Sequence, residues 1–192
     1  MSRRRIWDPL VRVAHWTLVG GIAAAWLSRH AEAGLHEWLG YLPLAVVALR
    51  VVWGCIGPRH ARFADFVRGP RETWRFARQW LAGREPRHLG HSPLGGAMIL
   101  LLLGLTVLTC ASGWLYTTDR FWGLAWVDAL HRGSTYALLG AAALHVGGVM
   151  LASWRHRENL VAAMIHGCKR DRDPGTGADA TPPAAAHPAR PR

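Results

Sequence analysis

One apolar segment, Trp126 to Trp154, limits the possible folds of this chain more than any other feature. It exceeds the roughly 20 residues that a helix needs to cross a membrane, and it contains His131 and His145. Helical positions fourteen residues apart lie about 21 Å apart along the axis and within about 40° of the same face. Metal-ligating side chains inside a membrane span are functional candidates by default. The segment therefore predicts a membrane helix that presents two imidazoles, at two depths, on one face.

Three further apolar segments have the length of a membrane span, so we predict an all-α integral membrane four-helix bundle. The predicted spans cover residues of about 10–28, 35–56, 94–118 and 127–153. The span at 94–118 contains neither a histidine nor a charge, and we interpret it as a packing partner whose glycines allow close approach of its neighbours.

Some segments outside the spans are basic and amphipathic. Between residues 57 and 93, large apolar residues recur at helical spacing among arginines, which predicts interfacial helices divided near Pro70. A second short amphipathic helix is expected after the last span. We assign residues 1–170 to one membrane domain, and we expect the Pro/Ala/Gly-rich tail at 171–192 to be disordered.

Charge distribution predicts the orientation. The formal net charge is +11, and the arginines concentrate at the N-terminus, in the 57–93 connection and in the C-terminal segment. The connections at 29–35 and 119–130 contain few cations, so the positive-inside rule predicts a multi-pass protein of the bacterial plasma (inner) membrane with both termini in the cytoplasm. The concentration of cations in connections and chain ends also argues against nucleic acid as a partner.

The N-terminal region permits one alternative, a cleavable signal peptide. Adjacent arginines, an apolar run and a small-residue motif at 31–33 fit that pattern. The apolar run contains two tryptophans and a histidine, however, and another span follows directly. We therefore expect this segment to be retained as the first span.

The predicted orientation sets the depth of each histidine within the spans. His15 and His145 fall at the inner level, whereas His36 and His131 fall at the outer level. Neutral imidazoles from two helices at one depth are the axial ligands of a low-spin electron-transfer haem. The four positions therefore predict two stacked b haems, each held by one pair. The absence of a C-x-x-C-H motif means that such haems would be held non-covalently.

Two arginines also belong to the predicted haem sites. Arg12 lies one turn before His15, and Arg50 lies fourteen residues after His36, so both fall at the inner level, where they would neutralise haem propionates. Snorkelling to the membrane surface is the alternative for Arg50. His91 is a weaker candidate for a propionate contact or a proton donor near the inner haem. A zinc site that combines His91 with His88 and His60 is a further alternative, although it would lack a cysteine or carboxylate.

Several short motifs together resemble the prokaryotic cytochrome b561 family, which includes the b-type cytochrome subunits of nickel-iron hydrogenases. The resemblance covers roughly residues 5–170. The motifs are Arg12-Val-Ala-His15-Trp16, Leu35-His36-Glu-Trp38-Leu-Gly40-Tyr41, Trp53 to Phe63, Gly90-His91-Ser-Pro-Leu-Gly95, Leu130-His131, His145-Val-Gly-Gly and His156-Arg-Glu-Asn-Leu160.

The resemblance implies a four-helix bundle with two b haems, and His15, His36, His131 and His145 stand at its ligand positions. It also implies electron transfer between a quinone and a cytochrome c or a dehydrogenase or hydrogenase subunit, with quinone-linked oxidoreductase activity as one possibility. The short connection from Asp119 to Leu130 favours a stand-alone cytochrome or a c-type partner. A membrane anchor or transporter subunit without haem is the competing hypothesis, but an anchor has no need of paired imidazoles at two depths.

Overall fold

The computed structural model describes residues 3–5, 8–31, 34–58, 61–84 and 92–170. These residues are predominantly helical. In chain order the elements are β1 (Arg3–Arg5), α1 (Pro9–Leu27), a 3₁₀ helix (Ser28–His30), α2 (Leu35–Ile56), α3 (Phe63–Phe66), α4 (Pro70–Leu81), α5 (Pro93–Tyr116), α6 (Ala125–His156), α7 (Leu160–His166) and β2 (Cys168–Arg170).

Among the described residues, four helices are long and apolar enough to cross a membrane: α1 with its 3₁₀ extension, α2, α5 and α6. The predicted all-α membrane bundle is thereby confirmed, and the protein is a multi-pass membrane protein. The spans begin and end within about three residues of the predicted bounds, since apolar length alone fixes a membrane helix well.

Local sequence explains where two of the four spans, α1 and α5, begin. Asp8 caps α1, because its Oδ1 accepts hydrogen bonds from the backbone N–H groups of Leu10 and Val11, at 2.9 and 3.2 Å. Ser92 caps α5 in the same way, with its Oγ 3.1 Å from the Gly95 nitrogen. A proline occupies the first position of each helix, where no intrahelical N–H bond is lost.

The interfaces between the described spans differ in extent. α5 packs along α6, α1 along α2, and α2 against α5, whereas α6 has no comparable interface with α1 or α2 within the described ranges. Individual side chains connect α6 to α1, as where the rings of Trp26 and Tyr136 lie 6.0 Å apart between centroids. The backbone of α6 therefore stands apart from α1 and α2, the two helices whose histidines the sequence matches in depth with those of α6.

The interfacial helices pack where α2 ends and α5 begins. The ring of Phe63 packs on Gly54 of α2, and the backbone carbonyl of Phe66 lies so close to Gly96 of α5 that a Cβ there would come within 2.6 Å of its oxygen. α4 lies against α5, with Phe76 buried. The predicted division near Pro70 is present, because α4 begins at that residue.

A short antiparallel ribbon was not predicted. β1 pairs with β2 in the register Arg3↔Arg170, Arg4↔Lys169 and Arg5↔Cys168. Three basic residues give no strand pattern, so only the proximity of the chain's two ends produces this pairing. The ribbon and α7 place both described ends on one side of the bundle, which we call the termini side; the opposite side is the loop side. The predicted disorder of residues 171–192 concerns residues outside the described ranges.

Candidate functional site

Two histidine pairs join α6 to the first two spans. His15 of α1 faces His145 of α6, with ring centroids 6.4 Å apart and ring planes at 59°. His36 of α2 faces His131 of α6, with centroids 6.1 Å apart and planes at 86°. We call these the termini-side pair and the loop-side pair. The structure thus brings together the same histidines that the sequence matches by depth.

Backbone carbonyl groups orient both histidines of the loop-side pair. His36 Nδ1 lies 2.8 Å from the Ala25 carbonyl oxygen of α1, and His131 Nδ1 lies 2.9 Å from the Thr109 carbonyl oxygen of α5. A carbonyl oxygen only accepts hydrogen bonds, so each Nδ1 carries the proton and donates. Each Nε2 therefore keeps its lone pair for a metal, which is the usual support for a metal-binding imidazole.

The two carbonyl groups share a second donor of the same kind. The Ser28 hydroxyl donates to the Ala25 oxygen, and the Ser112 hydroxyl donates to the Thr109 oxygen, both at 3.0 Å. Gly113 allows α5 to approach the imidazole, since a Cβ there would lie 2.9 Å from His131 Cε1. The α5 helix therefore positions a candidate ligand as well as packing.

Sequence reasoning missed this role of α5, and one signal was present. Thr106, Thr109 and Ser112 recur at intervals of three in an otherwise apolar span, and Thr106 and Ser112 are buried. The Thr109 hydroxyl donates to the Ser134 oxygen of α6 at 3.1 Å. Polar residues on one face of a membrane helix indicate contact with a neighbouring helix, but the sequence did not indicate which one.

The termini-side pair has different surroundings. His15 Nδ1 is buried and has no hydrogen-bond partner among the described residues. The Trp16 ring meets the His15 ring edge to face, at 5.1 Å and 89°. Two arginines lie at about this level by helical register, Arg12 on α1 and Arg50 on α2.

Arg50 is buried, with 5% of its surface exposed, and its guanidinium lies over the Phe63 ring at 4.8 Å. This burial argues against the snorkelling alternative. α2 and α6 run in the same direction, so Arg50 follows His36 by the same fourteen residues that separate His145 from His131. Arg50 therefore lies on α2 at the level of the termini-side pair and near the face that carries His36.

Arg12 reaches α7, where its Nη2 donates to the Ile165 carbonyl oxygen. Arg12 Nε and Arg50 Nη1 are both buried without a hydrogen-bond partner among the described residues. Buried cationic donors are normally paired with an acceptor. Each arginine therefore keeps one buried N–H group that a carboxylate could accept from, and Asp8 already interacts electrostatically with Arg50.

The glycines predicted to make room for a macrocycle divide into two groups. A Cβ at Gly20, Gly40, Gly140, Gly147 or Gly148 would meet no described atom within 4 Å. Gly21 instead packs on α2, where a Cβ would lie 3.2 Å from Pro43 Cγ. Gly21 therefore serves helix packing.

The remaining candidates lie outside the described residues, namely His91 and, for the zinc alternative, His60 and His88. Within the described part of the chain, no group of three or more His, Cys, Asp or Glu residues is arranged to hold a metal ion.

Comparison with known families supports the resemblance seen in the sequence. The family model described as prokaryotic cytochrome b561 matches residues 6–167, which is most of the chain. The chain belongs to the prokaryotic cytochrome b561 family. It is therefore a membrane b-type cytochrome that functions in electron transfer, and the alternative of a haem-free anchor or transporter subunit loses its basis. Searches of curated proteins and of solved structures gave no match.

The geometry of this cytochrome fits the haem that the family implies. If each imidazole nitrogen is about 2.0 Å from a shared metal and about 1.1 Å from its own ring centre, the two centroids lie about 6.2 Å apart. The observed distances are 6.4 and 6.1 Å. The unpartnered donors of Arg12 and Arg50 suit the carboxylates of such a group.

Proposed function

We propose that this protein is a cytochrome with two b haems that transfers electrons between a quinone and a second redox partner. Two imidazole pairs carry the proposal, with ring centroids 6.4 and 6.1 Å apart. Helix α6 contributes one histidine to each pair. His15 and His145 would hold one iron, and His36 and His131 the other. A bound b haem supplies a one-electron ferric/ferrous couple.

Two imidazoles would hold each iron and leave no site on it for a substrate, which favours simple electron transfer. On the loop side, the carbonyl groups of Ala25 and Thr109 hold the imidazoles in the tautomer that ligation needs. On the termini side, Arg12 and Arg50 would pair with haem carboxylates. Helix α6 supplies a histidine to each pair and so fixes their separation at about 21 Å along its axis.

In the proposed reaction a quinol gives up two electrons, whereas each haem accepts one electron at a time. Oxidation of a quinol to the quinone releases two electrons and two protons, and the electrons leave singly toward the redox partner; the reverse reaction consumes the same number. A cytochrome c is the partner favoured by the short connection at 119–130, and a dehydrogenase or hydrogenase subunit is the alternative. His91 would act beside the termini-side haem as a propionate contact or proton donor.

A reduced-minus-oxidised visible spectrum of the purified protein, combined with haem content per chain, tests the two-haem proposal. We expect low-spin b-type bands and two haems per chain. One haem per chain would reject the count of two. A preparation without a b-type signal would reject the ligand assignment altogether.

We further propose that the protein lies in the inner membrane with both termini in the cytoplasm. Reporter fusions after Arg78 and at the C-terminus should then report the cytoplasm, and a fusion near Asp119 should report the outer side. A cytoplasmic signal near Asp119 would contradict this orientation.

A further inference from the structure

Helix α4 is attached to the termini-side ends of two spans. It lies against α5, and its Phe76 is buried. At the other end of α4, the Arg155 guanidinium of α6 donates to the Trp80 carbonyl oxygen at 2.8 Å and lies 5.2 Å from the centre of the Trp80 ring. Arg155 belongs to the last turn of its span, and α4 has 12 residues, which cover about 18 Å and are too few to cross a membrane. α4 is therefore fixed at the level where the spans leave the membrane.

One side of α4 carries an exposed apolar stripe, formed by Trp74, Ala77 and Leu81. Trp74 and Leu81 are 68% and 74% exposed, and the three residues follow the i, i+3, i+7 spacing of one helix face. The stripe lies about 110° around the axis from Phe76 and Trp80, through which α4 is attached. Large apolar side chains at this level of a membrane helix bundle bury themselves at the boundary between headgroups and acyl chains. The stripe is therefore a lipid-contacting surface.

An arginine row, formed by Arg71, Arg75 and Arg78, borders this stripe. The three residues are exposed and recur at i, i+4 and i+7, so they are neighbours on one face, about a quarter turn from the stripe. None of the three forms an ion pair within the described ranges, where Glu72 pairs with Arg68 instead, at 3.9 Å. Like charges at this spacing destabilise a helix. An anion bound along the row removes this repulsion.

The arginine row and the apolar stripe together select one class of ligand. A phospholipid joins a phosphate to apolar chains, so its headgroup can lie on the row while its acyl chains lie on the stripe. An acidic protein segment or a free phosphate would satisfy the arginines and leave Trp74 and Leu81 exposed to water. A zwitterionic headgroup returns a positive charge to the row, whereas a headgroup with a net negative charge does not.

We propose that the arginine row and the apolar stripe of α4 form a binding surface for an anionic phospholipid of the phosphatidylglycerol type, in the leaflet on the termini side. The guanidinium groups of the row donate paired hydrogen bonds to the phosphate oxygens, and the acyl chains lie against Trp74 and Leu81. The bound lipid then lies beside both spans to which α4 is attached. The proposal goes beyond the proposed function, because it involves neither a haem nor a redox partner.

The test titrates the full-length protein, in a neutral detergent, with phosphatidylglycerol or phosphatidylcholine and counts bound lipids by native mass spectrometry. We expect the first phosphatidylglycerol to bind more tightly than phosphatidylcholine. Arg75→Gln removes the central cation of the row and should raise the Kd for phosphatidylglycerol about fivefold, the effect of one cation near a lipid surface. The matched control is Arg84→Gln, which removes an exposed arginine three residues beyond the end of α4 and should bind as wild type. Equal weakening in the two variants would indicate general charge attraction and overturn the proposal.

A second variant tests the apolar half of the surface. Trp74→Gln combined with Leu81→Gln keeps the arginine row and should raise the Kd for phosphatidylglycerol at least about fivefold. Weakening in Arg75→Gln alone, with wild-type binding in the double variant, would identify a site for an anion without acyl chains and overturn the proposal. Wild-type binding in both variants would also overturn it. Helical circular dichroism should be unchanged throughout, because the substituted side chains are exposed. A preparation without haem would reject the proposed function and leave this test intact.

Discussion

The two histidine pairs have nearly the same ring separation but are held by different means. On the loop side, two backbone carbonyl oxygens accept from His36 and His131, and a serine hydroxyl supports each carbonyl. On the termini side, His15 Nδ1 has no hydrogen-bond partner among the described residues, and Arg12 and Arg50, at about the same level along α1 and α2, each bury one nitrogen without such a partner. Hydrogen bonds orient the imidazoles of the loop-side pair, whereas two arginines lie at the level of the termini-side pair.

This difference predicts unequal redox potentials. A hydrogen bond from Nδ1 makes an imidazole more electron-donating, which stabilises the ferric state and lowers the potential. A cation near the iron stabilises the reduced state and raises it. We therefore expect the termini-side haem to have the higher midpoint potential.

The largest expected effect is the loss of one haem at a time. His145→Ala should lose the termini-side haem and His131→Ala the loop-side haem, because each leaves one axial position without its protein ligand. Haem content should fall from two to one per chain in both variants. Retention of two low-spin haems in both would show that the pairing is wrong, and His91 would then be the first replacement candidate on the termini side.

A change on α5 should affect only the loop-side site. In Gly113→Ala the added methyl would press on the His131 ring, because a Cβ at this position lies only 2.9 Å from His131 Cε1, and overpacking of this kind costs about 1–3 kcal/mol. We expect weaker haem retention at the loop-side site during purification. Gly104→Ala on the same helix is the matched control, since a Cβ there would meet no described atom within 4 Å. Equal haem content in the two variants would contradict the role assigned to Gly113.

Removal of a buried cation should affect only the termini-side site. For a charge about 10 Å from the iron and an effective dielectric constant of about 20, Arg50→Leu removes about 1.7 kcal/mol of stabilisation of the reduced state. The termini-side midpoint potential should fall by about 70 mV for this one-electron couple, and the loop-side potential should stay fixed. Exposed Arg132, which pairs with Asp128, provides the control Arg132→Leu. Unchanged potentials in Arg50→Leu would exclude a propionate contact.

The smallest expected effect concerns the serine hydroxyls. In Ser112→Ala the Thr109 carbonyl loses one donor and accepts more strongly from His131, so the loop-side midpoint potential should fall. A change of 10–30% in a hydrogen bond of about 1 kcal/mol corresponds to roughly 5–15 mV. Ser28→Ala should shift it in the same direction through His36. A shift confined to the termini-side midpoint potential would contradict the assignment of these two hydroxyls to the loop-side site.

The fold and the pairing followed from the sequence because both depend on distance along a helix. Apolar length gave the four spans, and the fourteen-residue interval between His131 and His145 gave two levels. The groups that orient the imidazoles did not follow, because the Ala25 and Thr109 carbonyl groups belong to backbone that any residue provides. The histidine that α5 contacts depends on the crossing angles between helices, and apolar periodicity does not determine these angles. The Arg12 bond to α7 depends likewise on how the chain ends meet.

Helix α6 contributes a histidine to both pairs and is the last of the four described spans along the chain. During synthesis, a chain that has inserted α1, α2 and α5 carries two of the four proposed ligands, His15 and His36, each without the histidine that faces it. If the proposed ligands are right, neither site can be completed at that stage, and loading of both haems would follow insertion of the final span. A chain interrupted before α6 would accumulate in the membrane colourless rather than half loaded, and pigment in the membrane would therefore report on chains whose synthesis had passed that helix.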